Sequence, residues 1–275
     1  MKNRLNAAVV QLTSTQDVAA NLRRANALIN KAADAGADLV MLPENYGFLG
    51  RDVDKLAHAQ DADDGPFITP LRDLALQRGL WILAGSLPER GPDTKHTYNT
   101  SVLINRQGAV AARYRKIHLF DVDLADGSRL MESASVAPGD TPVVADVEGW
   151  RVGLSVCYDL RFPELYRVLS DDGAELLAIP AAFTRHTGKD HWEILLRARA
   201  IENLCFVAAA AQFGSHGGGR FSWGKSQIID PWGVVLAGTS EGEGFALATL
   251  DPAVQNNARA QIPCLGHRRL GVVGT

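Results

Sequence analysis

Cysteine is scarce in this chain: Cys157, Cys205 and Cys264 are its only thiols, and none stands in CxxC spacing. An odd count without paired spacing in 275 residues argues against a disulfide framework and predicts reduced thiols. Concentrated charge is missing too. No five like charges adjoin, the formal net charge is -3, and the 21% of charged residues are spread evenly, which leaves no basic footprint for nucleic acid. Nowhere do about 18 apolar residues follow one another. The start, MKNRLNAAVVQL, lacks a long apolar segment with a small-residue cleavage site. The expectation is a soluble, cytoplasmic protein with neither nucleic acid nor membrane as partner. Metal-ligand spacing is also absent: His186 and His191 flank TGKD, and neither the cysteines nor His216 and His267 complete a ligand set. No metal and no cofactor are expected. The glycine-rich GSHGGGRFSWG has neither the GxxxxGK[ST] pattern nor a dinucleotide fingerprint, and reads as a flexible loop near a pocket mouth.

What is present is enough apolar residue, 46%, to bury a large core, and one domain over residues 1–275 is the expected organisation. The first half reads as a strand at 5–12, a helix from Asp17 toward Ala35, a strand at 38–42, a helix near 70–78 and the strand LWILAGSL. NTSVLIN and AVAARYR follow as a hairpin through RQG. The second half repeats that order: RVGLSVC, a helix from Pro163 toward Asp172, ELLAIPA, a helix from Lys189 to about Asn203, CFVAAAAQ, then KSQIID and VVLAG around Pro231, Trp232 and Gly233. Near-continuous apolar strands must be covered on both faces. The fold class is therefore α/β, a four-layer α-β-β-α sandwich of two stacked mixed sheets with pseudo-duplicated halves. A single doubly wound sheet is the alternative that periodicity leaves open.

Three apolar runs end on residues able to do chemistry. Glu44 follows DLVMLP, Lys116 follows AVAARYR and Cys157 closes RVGLSVC. Open α/β sheets carry their sites at the carboxyl ends of strands, where backbone amides and the next helix face a ligand. Each residue also has an ordinary reading. A cysteine ending an apolar strand is usually a small buried hydrophobe, a lone glutamate caps a helix or pairs with an arginine, and a lone lysine is a solvated strand-end charge. Their joint occurrence shifts all three readings toward chemistry. Cys205 and Cys264 lack such support and read as structural.

The motifs LPEN, YRKIHLFD and VCYDLRFPEL, continuing to PAAFTRHTGKDHWEILLRARAIEN and DPWG, resemble the nitrilase superfamily of carbon-nitrogen hydrolases over nearly the whole chain. Within it, AFTRHTGKDHWE, AAAAQFGSH and IPCLGHRR are most similar to the branch of small amidases that includes deaminated glutathione amidase and omega-amidase. The resemblance implies Cys157 as nucleophile, with the cation Lys116 favouring its thiolate and holding the oxyanion beside the backbone amide of Tyr158. Glu44 is implied as general base. Glu132, in RLMESASVAPG, matches a further active-site carboxylate that orients Lys116 or the attacking water. The implied substrates are small 2-oxo-acid amides that carry carboxylates, for which Arg161, Thr184, Arg185 and His186 are candidate binders. Relatives in this superfamily usually form symmetric dimers that assemble further, so a homodimer or higher homo-oligomer is expected. Two other classes stay open: a Cys-His peptidase using His118, and a catalytically silent binding protein on the same fold.

Overall fold

The computed structural model describes residues 3–123 and 129–271. The first half supplies β1 (Leu5–Gln11), α1 (Val18–Asp34), β2 (Leu39–Met41), α2 (Thr69–Arg78), β3 (Trp81–Leu83), β4 (Leu87–Arg90), β5 (Thr97–Ile104) and β6 (Val110–Arg115). Three short strands, β7 (Asp121–Asp123), β8 (Arg129–Met131) and β9 (Val136–Ala137), lead to β10 (Val143–Val147). The second half supplies β11 (Trp150–Leu154), α3 (Pro163–Asp171), β12 (Leu176–Ala178), α4 (Arg185–Asn203), β13 (Phe206–Ala209), β14 (Phe213–Gly217), β15 (Arg220–Trp223), β16 (Gln227–Ile229) and β17 (Val235–Gly238). β18 (Gly244–Leu250) and α5 (Pro252–Gln261) follow.

Two large mixed sheets result. In the first, β1, β2 and β3 run parallel, β5 lies antiparallel to β3, and β6 pairs with β5. The second repeats this with β11, β12 and β13 parallel and β16 and β17 antiparallel beyond them. Each half then lends its last strand to the other: β10 follows the first half but pairs with β11, and β18 follows the second but pairs with β1 over Leu5–Gln11. That reciprocal exchange ties the sheets together. Side chains alternate accordingly. Ala7, Val9, Leu39 and Met41 join the core shared with the second sheet, whereas Ala8, Val10, Val40 and Leu42 pack with α1 and α2.

The helices form for legible reasons. α1 buries Asn21, Ala25, Leu28, Ile29 and Ala32, a stripe of one face, and the Asp17 carboxylate accepts the Ala20 amide at 2.9 Å. Such a cap is worth about 1 kcal/mol. α2 carries Pro70 in its first turn and ends at Gly79 in the left-handed conformation.

The four-layer sandwich agrees with the sequence reading, but several elements differ. β11 stops at Leu154, short of Cys157. α4 starts at Arg185 rather than Lys189 and so includes Gly188, where a Cβ would meet the Trp223 Cβ at 2.4 Å. GSHGGGRFSWG forms the β14–β15 hairpin instead of a loop. β10 and β18 carry no strong sequence signal of their own, and α5, absent from the sequence reading, opens on the Asp251 cap and Pro252. Among the described residues, no helix is long and apolar enough to cross a membrane.

Candidate active site

Strand ends converge on a cavity of about 740 Å³ that Glu44, Lys116, Glu132 and Cys157 all line. Lys116, directly after β6, is 2% exposed, and its Nζ donates to Glu44 Oε1 at 3.1 Å and to Glu132 at 2.8 and 3.1 Å. Burial disfavours its charge, yet Glu132 and Glu44 outweigh that and hold the ammonium well above its ordinary 10.5. Glu132 is likewise penalised by burial, but Lys116, Lys55 and the Phe120 amide at 2.7 Å keep it below the usual carboxylate range. Asn99 Nδ2 bridges the two carboxylates, donating to Glu44 at 2.9 Å and Glu132 at 3.2 Å. The Ala182 amide donates to the other Glu44 oxygen at 2.8 Å.

Cys157 begins a 3-10 turn over Cys157–Arg161 and has φ 51, the left-handed region that side chains with a Cβ avoid. The turn is clamped. Its own amide donates to Pro180 O at 2.8 Å, and the fully buried Asp159 accepts from the Val156 amide at 2.8 Å, Tyr114 Oη at 2.7 Å and His118 Nδ1 at 2.8 Å. Burial pushes the Cys157 thiol well above its ordinary 9.0, and Glu44 adds to the rise while Lys116 opposes it. Lys116 thus favours the thiolate without winning. Burial and Glu44 together favour the thiol form, and the Glu44 carboxyl group is the candidate acceptor of its proton.

The Glu44 loop is held with equal care. Gln212 Nε2 donates to the Glu44 carbonyl at 2.9 Å and Ser86 Oγ accepts the Asn45 amide at 3.0 Å. Gly85, at φ 37, lies so close that a Cβ would meet Pro43 O at 2.0 Å. Gly85→Ala must therefore displace the backbone next to Glu44. We expect it to lower stability by about 2–4 kcal/mol and kcat by at least about tenfold, read from urea midpoints and steady-state rates.

The candidates named from sequence are placed as follows. Glu44, Lys116, Glu132 and Cys157 come together. The Tyr158 amide is among the first N–H groups of its 3-10 turn, which the turn itself cannot satisfy. Thr184, Arg185 and His186 line the cavity at the start of α4. Arg161 is a correction. It does not line the cavity; its guanidinium lies 4.9 Å over Phe183 and 3.2 Å from His191 Nδ1, joining the 3-10 turn to α4 as a structural link. His118 also stands outside the cavity, stacked on Phe162 at 3.7 Å and held by Asp159, which removes the Cys-His pairing. Sequence reasoning missed Asn99, Asp52, Lys55, His216 and Arg220. Asn99 left one signal, a polar Asn-Thr-Ser start to an apolar strand. His216 bridges Ser14 O at 2.7 Å and Ser222 Oγ at 2.9 Å, and burial holds it below its ordinary value, so it is neutral. Facing a carbonyl, its Nδ1 must be the donor.

Comparison with known proteins gives the family. Residues 6–260 match the family model described as carbon-nitrogen hydrolase. Deaminated glutathione amidase of Synechocystis sp. is 46% identical over 265 residues, 95% of this chain and 97% of its own. The crystal structure of Saccharomyces cerevisiae Nit3, a member of branch 10 of the nitrilase superfamily, superposes with a TM-score of 0.88 at 31% identity over 97% of each chain. A mutant amidase from Nesterenkonia sp. AN1, showing covalent addition of the acetamide moiety of fluoroacetamide at the active site cysteine, superposes at 0.78 with 29% identity. It covers 94% of this chain and 95% of that one. With the family model spanning nearly its whole length and a relative of this likeness, the chain belongs to the carbon-nitrogen hydrolase family and is an amidase.

Proposed function

We propose that this amidase cleaves the amide of a small, carboxylate-bearing 2-oxo acid through a thioester on Cys157, with deaminated glutathione as substrate and 2-oxoglutarate and cysteinylglycine as products. The observation that carries the chemistry is the meeting of thiol, carboxylate and ammonium in one cavity. The substrate follows the name of the 46% identical Synechocystis relative.

As Cys157 Sγ attacks the amide carbon, its proton passes to Glu44 and the carbonyl electron pair moves onto oxygen. Lys116 Nζ and the Tyr158 amide stabilise that oxyanion, with Glu132 and Asn99 holding the lysine and the base in place. Collapse breaks the carbon–nitrogen bond, and protonated Glu44 returns its proton to the departing amine. Glu44 then takes a proton from water, whose oxygen attacks the thioester. The second intermediate expels sulfur, which recovers the proton from Glu44, and the carboxylic acid so formed gives its remaining proton to solvent and leaves as a carboxylate.

The test is a panel of deaminated glutathione, 2-oxoglutaramate, a simple aliphatic amide and a nitrile. The highest kcat/KM is expected for deaminated glutathione. A preference for 2-oxoglutaramate would establish the omega-amidase reading instead, and no hydrolysis of any of them would end the proposal.

We place the subunit contact of a homodimer on the outer face of α4 and the β16–β17 turn, where Ile194, Ile201, Trp232 and Val234 stand about half exposed or more. Light scattering that gives the mass of one chain at micromolar protein would remove it.

A further inference from the structure

Charge in the cavity is not distributed as in the whole chain. The chain carries a formal -3, yet among the described residues the cavity is lined by five cations, Lys55, Lys116, Arg185, Lys189 and Arg220, against three carboxylates, Glu44, Asp52 and Glu132. Six of these groups fall into two clusters of opposite sign, in which Glu44, Glu132, Lys116 and Lys55 are buried and Asp52 and Arg220 half-buried. Glu44, Glu132 and Lys116 sum to one negative charge. Lys55, Arg220 and Asp52 sum to one positive charge.

The second cluster is built, not incidental. Lys55 is only 6% exposed, with its Nζ 3.2 Å from Asp52 Oδ1. Arg220, on β15, donates to Gly50 O at 2.7 Å and forks onto both oxygens of the same Asp52. Burial penalises Asp52, but its two cations hold it ionised below the usual carboxylate range. One carboxylate therefore serves two cations, and Lys55 is close enough to act electrostatically on Glu132. A desolvated positive charge without a counter-ion is costly. Arg185 and Lys189, by contrast, are exposed at the mouth, where water screens them.

We infer that Lys55 and Arg220, bridged by Asp52, form the wall that binds a carboxylate of the substrate remote from the scissile amide. This rests on the amidase reading and extends it to orientation. A carboxylate is repelled by the Glu44–Glu132 cluster and attracted by the wall, so the two clusters admit the substrate one way round, with its neutral amide at Cys157. Hydrolysis then creates a second carboxylate beside Glu44 and Glu132, and repulsion there favours release.

The decisive measurement needs no turnover. Calorimetric titration of 2-oxoglutaramate and of its methyl ester into Cys157→Ala should show clear preference for the acid. Adding Lys55→Met should weaken acid binding on the order of 10- to 100-fold and bring the acid-to-ester ratio toward one, with Lys55→Arg restoring most of it. Asp52→Asn, an isosteric change that removes the shared anion, should tighten acid binding severalfold. A merely structural clasp gives a different pattern: Lys55→Met weakens acid and ester by the same factor, and Asp52→Asn weakens the acid too. Either result overturns the inference, as does a Cys157→Ala protein that does not prefer the acid. The Asp52→Asn arm decides alone if Lys55→Met fails to fold. Failure of the amidase reading shows elsewhere, as wild-type protein that hydrolyses no amide.

Discussion

Cys157→Ala is expected to reduce amide hydrolysis by at least about 10⁴-fold while leaving the unfolding transition nearly in place, because it removes the proposed nucleophile. The structure adds a sharper expectation. A cysteine enzyme that rests as a thiolate shows an acidic limb where that thiolate is protonated. Here burial and Glu44 raise the thiol well above 9.0, which favours the thiol form, and in the proposed course the proton is removed within the attack itself. The profile of kcat/KM should therefore carry no thiol limb between about pH 6 and 9. Glu44→Gln separates the two functions. It keeps the sulfur but removes its proton acceptor, and kcat should fall about 10²- to 10⁴-fold. Wild-type-like turnover by Cys157→Ala, or a thiol limb near neutrality, would contradict this account. Mass spectrometry of quenched wild-type reactions should find the chain heavier by one acyl group, and Cys157→Ala unmodified.

How much of this could be read from the chain depends on which interactions are local. α1 and α2 were legible because Asp17, Pro70 and Gly79 act within one helical turn. β18 was not, since GFALATL gains its partner only by crossing back to β1, some 240 positions earlier. α4 was placed four residues late, and the close approach of Gly188 to Trp223 is visible only in the fold. Glu44, Lys116, Glu132 and Cys157, which meet at the cavity, were legible through their motifs, and their spacing along the chain carried no geometry. Asp52, Lys55 and Arg220 were invisible for a related reason. Each looks like an ordinary polar residue until the fold sets it at a cavity wall. The sequence names Lys116 as a cation that favours the thiolate, but the burial that opposes it depends on the fold.

Lys116→Met should affect both turnover and stability, because it removes the proposed oxyanion donor and the counter-ion of two buried carboxylates together. Loss of one such donor costs about 10²- to 10³-fold in kcat, and misplacement of Glu44 adds to it. Stability should change in a way that depends on pH. In the wild type, Glu132 lies below its ordinary 4.5, so its contribution is present above that value and is lost as pH falls through the lower folded value. Lys116 lies above 10.5, so its contribution is present below that value and fades only in stronger alkali. Together they stabilise the protein over roughly pH 5 to 10. Without the ammonium, Glu44 and Glu132 share the Asn99 amide as two buried like charges, and one must take up a proton. Its folded value then lies above 4.5, and its ionisation destabilises the fold as pH rises. Urea midpoints of Lys116→Met should therefore fall between pH 5 and 8 while those of the wild type hold steady, with a deficit of about 3–5 kcal/mol at the upper end. A deficit that does not vary with pH would mean that packing, not charge, is what Lys116 contributes. The double variant Lys116→Met with Glu132→Gln should then recover stability at pH 8 without recovering turnover, since the carboxylate conflict is relieved but the oxyanion still lacks its cation.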